Sequence, residues 1–178
     1  MPEKHYKRYV HLGCGDIDRP YFINVDARNL PHVDHVTDDM TDLSFLADDS
    51  IELIYAAHII EHVSWRYQPV LFNRFFQKLS PGGVLRISVP DFDRIIYRYS
   101  QRGNNLSEII DFLYGAQDHP FNFHFCCFNT DVLTKLFQNA GFTTINAWDP
   151  KQVSCHDFED FANHPVSLNL EGYKPHQG

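Results

Sequence analysis

The stretch HLGCGDIDRPYFINVD, residues 11–26, decides the fold of this chain. It begins at the end of a short apolar run, residues 9–12, which predicts a β-strand, and it turns at once through Gly13 and Gly15. Two glycines directly after a strand leave the backbone without Cβ atoms, so a ligand can approach it closely. A tight turn that needs two glycines for its own geometry is the alternative interpretation.

Short apolar runs alternate with amphipathic stretches along the rest of the chain, which is typical of an α/β domain with a largely parallel sheet. The predicted strands are residues 9–12, 22–25, 35–37, 51–57, 84–89, 142–147 and 166–173. The predicted helices are residues 69–79, 92–101, 108–115 and 131–140. Because no helix is predicted between the last two strands, we expect the final strand to insert antiparallel.

Length, charge and apolar content narrow the class of protein. A chain of 178 residues suits one domain, 1–178, and we place a helical and aromatic insertion at about 91–128. The formal net charge of -8 argues against broad contact with nucleic-acid phosphates. No stretch reaches the ~20 apolar residues of a membrane helix, and the N-terminus lacks the apolar run of a secretory signal. We therefore expect a soluble, cytoplasmic protein that binds neither nucleic acid nor membrane.

Acidic residues follow the second and third predicted strands. Asp26 ends the second strand, where a carboxylate can accept hydrogen bonds from both hydroxyls of a ribose. A solvated loop residue or a helix cap is the alternative for this position. Asp38 or Asp39 would accept from an adenine amino group, with Met40 packed on the ring, unless the segment is simply an acidic loop.

The glycine turn also discriminates between adenine cofactors. The dinucleotide fingerprint has a third glycine where this chain has Asp18. Asp16 and Asp18 would also place negative charge beside phosphates, which argues against NAD and against a nucleoside triphosphate. S-adenosylmethionine has no phosphate and carries a positive sulfonium, so an acidic loop suits it better.

The segment AAHIIEH, residues 56–62, leaves the fourth predicted strand. Small side chains at its start, Ala57 among them, leave room for the amino-acid part of a cofactor. His58 would stand near the reacting centre, although a histidine with a purely structural role is the alternative. Glu61 and His62 begin a short helix, where the dipole favours a glutamate.

Taken in order, these segments resemble the class I S-adenosylmethionine-dependent methyltransferases, in a small, methyltransferase type 11-like branch. The matching segments are HLGCG at 11–15, INVD at 23–26, DDM at 38–40, LSFLADDSIELIYAAHIIEHV at 43–63, LSPGGVLRISVPD at 79–91, LFQNAGF at 136–142 and SLNLEGYK at 167–174. The resemblance implies a Rossmann-like, seven-stranded, mostly parallel sheet with the last strand antiparallel and helices on both faces. It also implies S-adenosylmethionine as the cofactor and S-adenosylhomocysteine as its product.

The resemblance assigns contacts to the cofactor residue by residue. The residues implied are His11, Gly13, Cys14, Gly15, Asp26, Asp39, Met40, Ala57 and His58. Asp26 would bind the ribose, Asp39 with Met40 the adenine, and His58 would lie beside the methionine moiety.

The chain departs from the family pattern at two places. His11 stands where the family usually carries an acidic residue. Only ten residues separate Gly15 from Asp26, and Pro20 is one of them, so the usual first helix is expected to be shortened or absent. The pocket would then be more open on that side, or covered by the partner subunit of a homodimer.

Three residues are candidates for acting on the methyl acceptor. Asp91 directly follows the fifth predicted strand, but a cap for the next helix is the alternative role. His119 and His124 lie in the aromatic insertion, which would serve as a lid, as part of the core or as a dimer interface. His119 beside Pro120 is alternatively a surface turn.

The resemblance favours a small molecule or a sugar or polysaccharide precursor as acceptor, with O-methylation as the reaction. AAHI stands where an NPPY-like tetrad would indicate amino-methylation. The alternative is a non-catalytic module that binds S-adenosylmethionine or a nucleoside. No metal is expected: the HxxxxHxCC pattern at 119–127, with Cys155 and His156, resembles a zinc site but has no regular CxxC pair.

Overall fold

The computed structural model describes residues 8–151 and 160–176, and within them seven strands form a single sheet. The strands are β1 (Tyr9–Leu12), β2 (Phe22–Asp26), β3 (His35–Val36), β4 (Ile51–Ala57), β5 (Leu79–Pro90), β6 (Thr143–Ala147) and β7 (Ser167–Tyr173). Their order is β3-β2-β1-β4-β5-β7-β6. Strands β1 to β5 pair in parallel, and β7 lies antiparallel between β5 and β6. The predicted Rossmann-like class with an antiparallel last strand is confirmed.

Within the described residues, four α-helices accompany the sheet. They are α1 (Gln68–Lys78), α2 (Phe92–Gln101), α3 (Ile110–Tyr114) and α4 (Thr130–Ala140). Helices α1 and α4 pack on the sheet through buried residues that include Phe72, Phe75 and Phe137. On the opposite face, Leu53 and Tyr55 of β4 are covered by Trp148 and by the 3-10 turn Phe161–Asn163. None of the helices in the described segments is both long enough and apolar enough to cross a membrane.

The predicted boundaries were wrong at β5. The strand begins at Leu79, five residues before the predicted start at residue 84, and Leu79 pairs with Ile51. The intervening Ser-Pro-Gly-Gly segment stays within the strand, with an irregularity in its register against β4. Gly82 has a φ of +81° and Gly83 lies so close to the Ser80 carbonyl that a Cβ there would be 2.8 Å from the oxygen. The two glycines therefore permit a bulge between the predicted helix 69–79 and the predicted strand 84–89.

The connection between β1 and β2 contains no helix, which confirms the expected loss of the usual first helix. Instead, Arg19 anchors this loop to the far end of the chain. Its guanidinium is 2% exposed and donates to the carboxylate of Asp160 at 2.7 Å. The hydroxyl of Tyr55 donates to the same carboxylate oxygen, and the Arg19 guanidinium lies 4.9 Å from the centre of the Tyr55 ring. A buried ion pair thus positions a segment that the family usually positions with a helix.

Replacing Asp160 by alanine leaves the buried Arg19 guanidinium without this carboxylate. We expect the free energy of unfolding to fall by about 3–5 kcal/mol, the usual cost of removing one partner of a buried pair. The control is Asp48→Ala, which breaks the pair between Lys78 and an aspartate whose side chain is 67% exposed and should cost less than about 1 kcal/mol. Urea unfolding followed by circular dichroism measures both, and equal losses would contradict the structural role of the buried pair.

Candidate functional site

A cavity of about 960 Å³ opens at the carboxyl ends of β1, β2 and β4, where open α/β sheets bind their ligands. The nine residues predicted to hold the cofactor all line it: His11, Gly13, Cys14, Gly15, Asp26, Asp39, Met40, Ala57 and His58. His119 also lines the cavity. The individual contacts of these residues with a cofactor stay a prediction.

The carboxylate of Asp26 holds the two loops at the base of the cavity. It accepts a hydrogen bond from the backbone N–H of Gly15 at 2.8 Å. Its other oxygen accepts from the backbone N–H of Arg28 at 2.9 Å and from the Arg28 guanidinium at 3.1 Å. Because Asp26 is only 7% exposed, the carboxylate is fixed in one orientation at the cavity surface.

Position 13 requires glycine, because of its backbone conformation and because a side chain there would collide with a neighbouring residue. The φ of Gly13 is +65°, a value that residues other than glycine rarely adopt. A Cβ at this position would lie 2.4–2.8 Å from carbon atoms of the Ile59 side chain. Cys14 follows with its thiol buried, and burial with the nearby Asp26 charge raises the pKa of that thiol to about 12. The turn thus presents backbone and a neutral thiol to the cavity.

The cavity wall is strongly acidic. Six carboxylates line it, and Arg28 is the one lysine or arginine among the lining residues of the described chain. The six are Asp16, Asp26, Asp38, Asp39, Asp118 and Asp160. Of these, Asp26 and Asp160 pair with arginines. Asp39 accepts from the backbone N–H and the hydroxyl of Thr41 at 2.9 and 2.6 Å. Such a wall attracts a cationic ligand and repels phosphates.

His58 leaves β4 in a strained conformation, with a φ of +51°. Its Nε2 lies 2.7 Å from the Ser167 hydroxyl, and that hydroxyl donates its own proton to the carbonyl oxygen of Phe161. The imidazole therefore donates from Nε2 and directs an unprotonated Nδ1 towards Glu61, whose Oε1 is 3.5 Å away. Burial, with smaller contributions from neighbouring histidines, lowers the pKa of His58 to about 3, so the ring is neutral.

Behind His58 lies a second group of titratable side chains. Glu61 is 1% exposed, and burial raises the pKa of its carboxyl group to about 8. His62 and His124 approach each other edge to face with ring centres 4.8 Å apart. Burial lowers the pKa of His62 to about 4, although nearby carbonyl oxygens of Phe123 and His58 act in the opposite direction. Burial also lowers the pKa of His124.

The three acceptor-side candidates occupy different places. Asp91 does not line the cavity: its carboxylate caps α2 by accepting from the N–H of Asp93 at 3.1 Å, and it pairs with Arg94 at 3.2 Å. His124 does not line it either, and its Nδ1 faces the carbonyl oxygen of Phe112 at 3.0 Å. The structure brings His119 alone of the three to the cavity.

His119 sits beside a second carboxylate at the cavity rim. Its Nε2 is 3.8 Å from Oδ1 of Asp118, and its Nδ1 accepts from the backbone N–H of Phe121 at 3.3 Å. The HxxxxHxCC pattern does not assemble around it. Within the described ranges, the group of potential metal ligands that comes together contains neither His119 nor a cysteine. Cys155 and His156 lie outside the described residues.

Two residues at the cavity escaped the sequence analysis. Arg28 follows Asp26 by two positions and donates to its carboxylate. A basic residue so close to a predicted ribose ligand could have been recognised from the sequence. Asp160 carried no signal, because its partner Arg19 is 141 residues away in the chain.

Comparison with known proteins identifies the family of the chain. A family model described as a methyltransferase domain matches residues 6–147. O-methyltransferase 3 of Dictyostelium discoideum is 27% identical over 129 residues, which is 71% of this chain. This chain spans only 26% of the length of that relative.

Solved structures share the fold at low identity. A SAM-dependent methyltransferase from Archaeoglobus fulgidus has a TM-score of 0.61 and 13% identity, covering 96% of this chain and 87% of its own. The 1,6-didemethyltoxoflavin-N1-methyltransferase of Burkholderia thailandensis, solved with 1,6-didemethyltoxoflavin and S-adenosylhomocysteine, has a TM-score of 0.58 and 15% identity. The alignment covers 94% of this chain and 70% of that one. The resemblance to the class I S-adenosylmethionine-dependent methyltransferases is thereby confirmed, and the chain belongs to the methyltransferase domain family.

Proposed function

We propose that this protein transfers a methyl group from S-adenosylmethionine to a hydroxyl of a small molecule or of a sugar or polysaccharide precursor. The observation that carries the proposal is the buried Asp26 carboxylate at the base of the cavity, held between the Gly15 amide and Arg28. A carboxylate at the end of β2 is placed to accept from the hydroxyls of a ribose. It accepts from both once the Arg28 guanidinium leaves Oδ1, because three of its roughly four acceptor positions are otherwise filled. The two glycines beside it leave room for the cofactor backbone.

The charge of the cavity supports a sulfonium cofactor. Six aspartates surround the space against two arginines, Arg19 and Arg28, that pair with them, so the wall keeps a net negative charge. His58, which borders the space, is neutral because burial lowers its pKa to about 3. A neutral imidazole does not repel the sulfonium, and the aspartates attract it. After transfer, the product S-adenosylhomocysteine no longer carries the sulfonium charge, so this attraction weakens.

The acceptor would enter past the aromatic insertion. Phe121 and Phe125 of the insertion line the cavity together with Tyr67 and Phe161, and Asp118 and His119 add polar groups there. Aromatic faces beside polar groups suit a small acceptor that carries hydroxyls. The name of the Dictyostelium relative, an O-methyltransferase, agrees with transfer to oxygen.

The chemistry requires one proton to leave the acceptor. The acceptor oxygen forms a bond to the methyl carbon as the carbon–sulfur bond breaks, and the sulfur keeps the bonding electrons. His119 would take the hydroxyl proton at Nδ1, in exchange for the 3.3 Å hydrogen bond that this atom accepts from the Phe121 N–H. The Asp118 carboxylate, 3.8 Å from Nε2, would stabilise the resulting imidazolium. Positioning supplies the rest of the rate enhancement.

A non-catalytic module that binds S-adenosylmethionine or a nucleoside is the second candidate. His11 in place of an acidic residue and the helix-free connection between β1 and β2 favour it, because both remove usual parts of the cofactor pocket. A homodimer could close the open side in either case. Acceptor-dependent formation of S-adenosylhomocysteine would exclude the module.

Asp26→Ala removes the proposed ribose ligand. We expect the free energy of S-adenosylhomocysteine binding to weaken by about 1–3 kcal/mol, which is roughly a 5- to 150-fold rise in Kd. Isothermal titration calorimetry measures this. The control is Asp42→Ala, because Asp42 does not line the cavity and its hydrogen bonds are to the neighbouring Ser44. Unchanged affinity in the folded Asp26 variant would refute the ribose role.

His119→Ala tests the acceptor side. We expect a loss of turnover of roughly 10²- to 10⁴-fold, the usual contribution of a general base, with the Kd for S-adenosylhomocysteine changed less than threefold. Turnover is followed as S-adenosylhomocysteine released with a panel of sugars and phenols. Full activity with an acceptor that supports the wild type, or an equal loss of cofactor affinity, would count against His119 as the base.

A further inference from the structure

We infer that Glu61, His62 and His124 form a binding site for one divalent transition-metal ion, directly behind the wall of the cofactor cavity. The sequence predicted no metal, because the cysteines carry no regular ligand spacing. The three residues come from two distant segments, the 3-10 turn Ile60–His62 after β4 and the end of the aromatic insertion. Neither segment alone has the spacing of a known metal motif.

The ligand set has the composition and size of a metal site. One atom from each of the three side chains lies within 4.8 Å of the other two. Two imidazoles and one carboxylate are a common ligand set for zinc and for non-haem iron, and three protein ligands leave at least one position open. Ligand atoms about 2 Å from an ion lie roughly 3–3.5 Å apart, so binding needs side-chain shifts of about 1 Å.

The backbone orients both histidines for this task. Nδ1 of His62 lies 3.1 Å from the carbonyl oxygen of Phe123, and Nδ1 of His124 lies 3.0 Å from that of Phe112. A carbonyl oxygen only accepts, so each Nδ1 carries its proton and each Nε2 keeps a free lone pair in the neutral ring. Metal-binding histidines are usually fixed by a hydrogen bond of this kind from their second nitrogen.

Among the described residues, no side chain donates to the Glu61 carboxylate to offset the cost of its burial. Neither of its oxygens accepts a hydrogen bond from the described residues. One oxygen faces Nδ1 of His58 at 3.5 Å and Nε2 of His124 at 4.0 Å, and neither nitrogen has a proton to donate in the tautomers that the hydrogen bonds indicate. A buried carboxylate that faces two lone pairs is unfavourable unless a proton or a cation lies between them.

Hydrogen bonds tie together the backbone around the cluster. The side-chain amide of Gln68 donates to the carbonyl oxygens of Ile60 and Val63, and the Cys126 thiol donates to Val63. These bonds hold the turn that carries Glu61 and connect it to the segment that precedes Phe128. His62 also lines the cavity, so the proposed ion borders the space that cofactor and acceptor would occupy.

The test measures metal binding directly, without cofactor or acceptor, so its outcome is independent of the proposed function. Tag-free, chelator-treated protein is titrated with Zn²⁺ by calorimetry and with Co²⁺ by visible absorption. We expect one equivalent of Zn²⁺ with a Kd of micromolar or tighter, and d–d bands for Co²⁺. Glu61→Gln, which keeps the shape of the side chain, and His124→Ala should each weaken Zn²⁺ binding at least tenfold.

The control is His176→Ala, which removes an exposed histidine far from the cluster in sequence and should bind like the wild type. Zn²⁺ should also raise the Tm of the wild type but not that of Glu61→Gln, because only an ion bound at the folded site stabilises it. Absence of Zn²⁺ binding to the wild type would overturn the inference and would leave a shared proton as the partner of Glu61. Binding that survives in both cluster variants would also overturn it, because the ion would then lie elsewhere, for example at Cys155 and His156.

Discussion

The carboxylate of Asp26 is the constraint on which the arrangement of the cavity depends. It joins the end of β2 to the glycine turn after β1 through the Gly15 amide, and to the following loop through Arg28. Since no helix connects β1 to β2, the intervening loop has little regular structure to hold it. The Asp26 contacts hold one end of this loop, and the buried Arg19–Asp160 pair holds the other. Together they keep the carboxyl ends of the central strands open to a ligand.

Much of the fold followed from the alternation of apolar runs and amphipathic stretches. The strand pattern predicted a largely parallel sheet with an antiparallel last strand, because both depend on local periodicity and on the absence of a final crossover helix. The start of β5 was missed because Ser-Pro-Gly-Gly reads as a helix stop, whereas Gly82 and Gly83 keep the chain in the sheet through a bulge. The ion pair between Arg19 and Asp160 could not be predicted from the sequence, because it joins distant segments and no residue spacing indicates it.

The candidate site likewise contains residues that the sequence could place and residues that it could not. Residues at strand ends, such as Gly13 and Asp26, were predicted because the carboxyl edge of a parallel sheet fixes their location. Asp91 was open to two interpretations, and its carboxylate caps α2. His119 and His124 were equivalent in sequence, but the fold of the insertion turns one to the cavity and the other towards Glu61. Which way a loop side chain points depends on tertiary contacts that periodicity does not encode.

The central claim is that adenosine lies across the strand ends with its ribose at Asp26. A crystal structure of the protein with S-adenosylhomocysteine tests it most directly. The account predicts both ribose hydroxyls within hydrogen-bond distance of the Asp26 carboxylate, at about 2.5–3.0 Å, and the sulfur beside His58. An adenosine bound away from Asp26, or a ligand turned so that its sulfur points out of the cavity, would contradict it.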